Sequence, residues 1–139
     1  MDRFCNQDAA AFQPGIIELD VIFTAGSSGA VPTTFADFTM ADGLDGTTPM
    51  ELAATGLYTC YLADAYVALL PGSSFQVIQA TYDASHACRG EIDTDDVADG
   101  TTPLVTFQAV QNGTGGAVAV TEGDVVHIHL RLQRVSGDH

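Results

Sequence analysis

Late in the chain, Val125 to Val135 reads VVHIHLRLQRV, an alternation that leaves a polypeptide little conformational choice. In an extended strand, successive side chains point to opposite faces. Val126, Ile128, Leu130 and Leu132 therefore share one face, and His127, His129, Arg131 and Gln133 share the other. A helix would scatter the same residues around its circumference. The stretch Ile16–Thr24, IIELDVIFT, has the same character, with Ile17, Leu19, Val21 and Phe23 set against Glu18 and Asp20. Both stretches predict half-buried strands.

Further candidates follow at intervals of about ten residues: Thr34–Met40, Met50–Ala54, Leu57–Leu62, Ser74–Tyr82, Glu91–Val97, Leu104–Gln111 and Ala117–Thr121. Between them lie Asp42-Gly43, Asp45-Gly46, Thr55-Gly56, Pro71-Gly72, Asp99-Gly100, Asn112-Gly113 and Gly123-Asp124, the residues that tight turns use. The pentapeptide DGTTP occurs at Asp45–Pro49 and again at Asp99–Pro103, but its surroundings do not align. It reads as one strand-opening device used twice. The stretch Leu62–Gly72 lacks alternation and predicts a short helical turn near residues 63–70. The expected fold is all-β: a single antiparallel β-sandwich or barrel of about eight or nine short strands over residues 15–139. Residues 1–14, with Phe4 and Phe12 as their large anchors, read as an extended N-terminal arm.

Charge narrows the partners. The chain carries 18 acidic residues and four basic ones, all arginine, for a net charge of −14. Phosphate backbones and anionic bilayers would repel it, so nucleic acid and membrane are excluded as expected partners. No apolar run approaches the roughly 20 residues of a membrane span. The first residues lack the basic and apolar regions of a signal peptide, so synthesis in a cytoplasm is expected. The three cysteines, Cys5, Cys60 and Cys88, have no CxxC spacing, which disfavours both a disulfide framework and a zinc knuckle.

Motifs that would carry chemistry fail on inspection. His127 and His129 at i and i+2 can share a metal on a strand face, as in cupin-fold enzymes. The glycine and glutamate that such enzymes place around the pair are absent: Gly123 is four residues before, and Gln133 and Arg134 stand in the glutamate positions. Arg131 on the same face would also oppose a cation. The run from Glu91 to Gly100 is acidic, but an EF-hand loop begun at Asp93 would need ligand and glycine where Val97 and Ala98 stand. Without lysine there is no phosphate loop, and no serine occupies a nucleophile elbow. No catalytic residue, metal ligand or cofactor is assigned.

The succession GIIELDVIFTAGSSGAV, ATGLYTCYLADAYVALL, SFQVIQATYD, a strand ending TFQAV and a closing EGDVVHIHLRLQRV resembles small structural proteins of tailed-phage virions. The likeness is to capsid decoration, or cement, proteins and covers about residues 15–135. It implies a non-enzymatic protein on the outer surface of a capsid, made in the host cytoplasm. Its partner would be the major capsid protein, and it would act as a homo-oligomer, taken as a trimer. Candidate contact residues are Arg3, Phe4 and Phe12 in the arm and His127, His129, Arg131 and Gln133 on the last strand. The competing expectations are a host- or carbohydrate-binding module of a tail fibre or adhesin and, third, a cupin-like metal-dependent enzyme.

Overall fold

The computed structural model describes residues 15–39 and 42–134. Its regular structure is β1 (Ile16–Thr24), β2 (Met50–Ala54), β3 (Leu57–Tyr61), β4 (Ala68–Leu69), β5 (Ser74–Ile78), β6 (Cys88–Asp96), β7 (Leu104–Gln111) and β8 (Val125–Gln133). Three single 3-10 turns lie at Ser27–Gly29, Phe35–Asp37 and Ala84–His86. The strands make two four-stranded sheets, antiparallel throughout. In the first, β8 is flanked by β1 along one edge, from Ile16 opposite Gln133 to Thr24 opposite Val125. Along its other edge β4 and β5 follow in succession. The second sheet has the order β2–β3–β7–β6. The all-β sandwich expected from the alternation is thus the observed architecture.

The apolar faces meet between the sheets. Val21 and Phe23 of β1 and Val126, Ile128, Leu130 and Leu132 of β8 pack with Tyr58 and Cys60 of β3 and Val105, Phe107 and Ala109 of β7. Each fully buried aliphatic or aromatic side chain contributes about 1.5–3 kcal/mol. A chain of rings runs through this core from Phe38 to Phe23 (centroids 5.6 Å), Tyr58 (5.9 Å), Phe75 (5.6 Å) and Phe107 (5.9 Å). The Tyr58 hydroxyl, buried with its ring, donates to the Gly29 carbonyl at 2.6 Å. Where the sheets close on each other, Phe75 of β5 lies against Gly90 of β6, and a side chain at Gly90 would collide with that ring.

Four expectations need correcting. Leu62–Gly72 holds no helical turn: Tyr66 N–H donates to Val97 O, Val67 N–H to Gln133 O and Leu70 N–H to Arg131 O, and Ala68–Leu69 is strand. The segment passes from the second sheet to the first, so its apolar residues serve two surfaces and show no single period. Thr34–Met40 is not a strand. Phe35 and Phe38, three residues apart, turn toward the core through a 3-10 turn, and only Thr39 bridges to Ile22. Met40 lies outside the described residues. Ala117–Thr121 buries Val118 and Val120 but is not a strand: it meets the end of β7 only at its start, through a bridge from Ala117 to Val110 and a hydrogen bond from Val118 N–H to Ala109 O. Strand β5 ends at Ile78, short of the expected Tyr82.

Candidate functional site

The polar faces of β1 and β8 lie together on the outside of the first sheet. Their register sets Glu18 opposite Arg131, Asp20 opposite His129 and Ile22 opposite His127. Asp20 is the hub. Its Oδ1 accepts from His127 Nε2 at 2.8 Å and from His129 Nδ1 at 2.8 Å, while His129 Nε2 meets Glu18 Oε1 at 2.9 Å. Four side chains from two strands are thereby tied into one network, with Asp20 and His129 partly shielded from water and Glu18 exposed. The hydrogen bond from His127, then that from His129, holds the Asp20 carboxyl below the usual carboxylate range. The Asp20 hydrogen bond raises His129 above the ordinary imidazole range, with Glu18 adding to it and burial opposing.

Arg131 continues the same face. Although Glu18 stands opposite it in the ladder, that carboxylate is engaged by His129. Among the described residues, the Arg131 guanidinium has no acidic partner at ion-pair distance, unlike Arg89, which meets Glu91 at 3.0 Å. Its backbone is fixed from the other edge. Pro71-Gly72 interrupts the β4–β5 ladder there, and the Ser73 hydroxyl accepts the Arg131 N–H at 2.9 Å in place of a carbonyl. Gln133 ends the row, exposed. The structure therefore brings His127, His129, Arg131 and Gln133 to one face, as the alternation requires. Arg3, Phe4 and Phe12 lie outside the described residues.

The alternation also puts Glu18 and Asp20 on a polar face, but nothing within their own strand marks them as part of a site. Their role appears only once the first and last strands are known to pair. The histidines are consequently engaged by carboxylates, and among the described residues no three His, Cys, Asp or Glu side chains are arranged to hold a metal ion.

Two other constellations resolve into structural roles. Asp83, Ser85 and His86 have triad composition but occupy one short turn. Ser85 donates its N–H and its hydroxyl to Asp83 Oδ1, and His86 Nδ1 lies 3.1 Å from Asp83 Oδ2 and 3.2 Å from Ser85 Oγ. A proton relay needs a different ring nitrogen for each partner. Here one nitrogen faces both, and the Asp caps the turn. Cys88 is half-buried, and burial, with Asp124 adding, pushes its thiol up; Cys60 is fully buried and pushed up to about 12. Neither has the depressed pKa of a nucleophilic thiol.

The twin DGTTP turns come together in space. Asp45 Oδ1 accepts the N–H groups of Thr47 and Thr48 (2.8 and 3.0 Å), and Asp99 Oδ1 those of Thr101 and Thr102 (2.8 and 2.9 Å). The two turns then hold the end of β3 from either side, Tyr61 N–H donating to Pro49 O and Leu62 N–H to Pro103 O. Between them opens a cleft of about 650 Å³ lined by Asp45, Thr47, Thr48, Tyr61, Asp64, Thr101 and Thr102, among others.

Fold and surface together define an antiparallel β-sandwich whose most organised polar feature is a sheet face. Comparison with protein-family models, with curated proteins and with solved structures finds no match to the chain.

Proposed function

We propose that the protein is a non-enzymatic virion structural protein, a decoration or cement protein that docks on the outer capsid surface through the outer face of β1 and β8. The observation that carries this reading is the Arg131 guanidinium, without an acidic partner among the described residues, beside the Glu18–His129–Asp20–His127 network. In a chain of net charge −14, a cation left without a carboxylate is a natural contact for an acidic patch on a partner. Side chains already fixed by hydrogen bonds lose little further freedom on docking, which favours association through this face. A sheet face also suits a partner presented repeatedly by a symmetric lattice better than a pocket would.

The reading expects the chain at a fixed copy number, relative to the major capsid protein, in virions made from the genome that encodes it. Purified protein should co-sediment with shells lacking it. Arg131→Glu should weaken that association by about tenfold or more, the scale of losing a partly desolvated charge contact. A homo-oligomer, taken as a trimer, is part of the proposal and is read by light scattering. Absence from virions, or binding indifferent to Arg131→Glu, would overturn it.

The cleft between the DGTTP turns favours a second reading, a carbohydrate-binding module. Threonine hydroxyls, the Tyr61 ring and the Asp45 and Asp64 carboxylates surround a space of ligand size, about 650 Å³. Binding on a glycan array that is lost in Tyr61→Ala, by a protein that ignores shells, would select this reading instead.

A further inference from the structure

The geometry points to His129 as a stored proton: an imidazolium clamped between two carboxylates, which gates the docking face by its loss. The inference rests on atom positions in the network. Ionised carboxylate oxygens only accept hydrogen bonds, so any ring nitrogen facing one must carry a hydrogen. His127 meets a carboxylate through Nε2, which a neutral ring can satisfy with its single N–H. His129 differs, because Nδ1 faces Asp20 at 2.8 Å while Nε2 faces Glu18 at 2.9 Å. A neutral imidazole has one donor, and this site asks for two. Only the cation satisfies both carboxylates in their ionised form.

The surroundings agree. From β1 the groups facing His129 are Asp20, opposite in register, and Glu18 on the diagonal. On β8 its neighbours along the face are His127 and Arg131, the second set opposite Glu18. From β5 the flanking positions are Ser74 and Gln76, both uncharged. The local balance is two carboxylates around the ring, with one fixed cation to the side.

Deprotonation moves one proton from a ring nitrogen to water and changes no other covalent bond. The neutral ring then keeps a single N–H, releases one carboxylate and leaves two like charges around itself. The face becomes more negative by one unit and less rigid. On the docking reading above, contact with an acidic partner patch should therefore weaken as pH rises through the His129 midpoint.

Two measurements test this independently. Nitrogen-15 imidazole spectra of the protein alone, followed through pH, should show both His129 nitrogens protonated below a midpoint that lies above the ordinary 6.5. Glu18→Gln, which keeps an acceptor but removes a charge, should lower that midpoint. A midpoint at or below 6.5, or a single protonated nitrogen at lower pH while the network persists, overturns the clamp. Co-sedimentation with shells should fall with rising pH in the same interval, and His129→Gln should flatten the profile. Binding that is strong but independent of pH overturns the gate. Binding at no pH overturns the docking reading and the gate with it, while the spectra alone still decide the clamp.

Discussion

At the scale of single residues, the DGTTP turns show which atoms shape the chain. The Asp-Gly pair suggests glycine in a left-handed conformation, and Gly43 of Asp42-Gly43 does have positive φ, as do the turn glycines Gly56, Gly72, Gly113 and Gly123. Gly46 and Gly100 do not, and a side chain on either would meet open space. The turn is instead held by one aspartate oxygen bonded to two successive threonine amides, which also holds Asp45 and Asp99 below the usual carboxylate range. Accordingly, Gly46→Ala and Gly100→Ala should leave the thermal midpoint unchanged, whereas Asp45→Ala and Asp99→Ala should each lower it. A larger loss from the glycine variants would refute this division of roles. Gly90 is the opposite case. Its backbone is ordinary, but Phe75 occupies the space a methyl group would need. Gly90→Ala should destabilise by about 1–3 kcal/mol through overpacking where the sheets close, measured by denaturant unfolding. Substitution at Gly100 supplies the contrast within the same protein.

At the scale of elements, the pairing of β1 with β8 predicts how stability depends on pH. His129 is raised, so its contribution is complete below the unfolded value of 6.5 and is lost as pH rises through its folded midpoint. Asp20 is lowered, so its contribution is complete above 3.8 and is lost as pH falls through its folded value. The network should therefore support β1–β8 fully between about 3.8 and 6.5, with stability declining on the alkaline side. Asp20→Asn should flatten that alkaline decline, as read by denaturant midpoints at successive pH values. A decline of equal size in this variant would show that other groups cause it. The strands behind this were legible in the sequence because alternation is local: both faces of β8 and the carboxylate side of β1 follow from period two. What joins them is not local. That Asp20 meets His129 depends on the pairing of strands more than a hundred residues apart in sequence. No pattern within either strand states it. The same limit hides β4, which exists only because Ala68–Leu69 meets the edge of β8, and suggests a strand at Ala117–Thr121, whose alternation is sound but which meets β7 only at its first residues.

At the scale of the whole molecule, a net charge of −14 is a continuing source of internal repulsion. Along β6, Glu91, Asp93, Asp95 and Asp96 follow closely, with Asp99 just beyond, and among them Glu91 has an arginine partner. Residues two apart on a strand are about 7 Å apart, within the screening length of about 10 Å at 0.1 M salt. Raising salt to 1 M shortens that length to about 3 Å, which weakens repulsion and the few attractive pairs alike. Repulsion dominates here because four arginines face 18 acidic residues. The thermal midpoint should therefore rise with sodium chloride, and rise less in a variant that neutralises the strand, Asp93→Asn with Asp95→Asn. Calcium provides the decisive comparison. The carboxylates of this run are directed to separate tasks, Asp93 accepting from Thr94 and Thr106, Asp95 from Val97, and Asp99 from the two threonine amides of its turn. General screening predicts that millimolar calcium chloride acts no more strongly than its ionic strength warrants, and that magnesium matches it. A saturable stabilisation by calcium alone would mean that these side chains converge on a cation, and that the acidity of this strand serves a ligand rather than merely being tolerated by the fold.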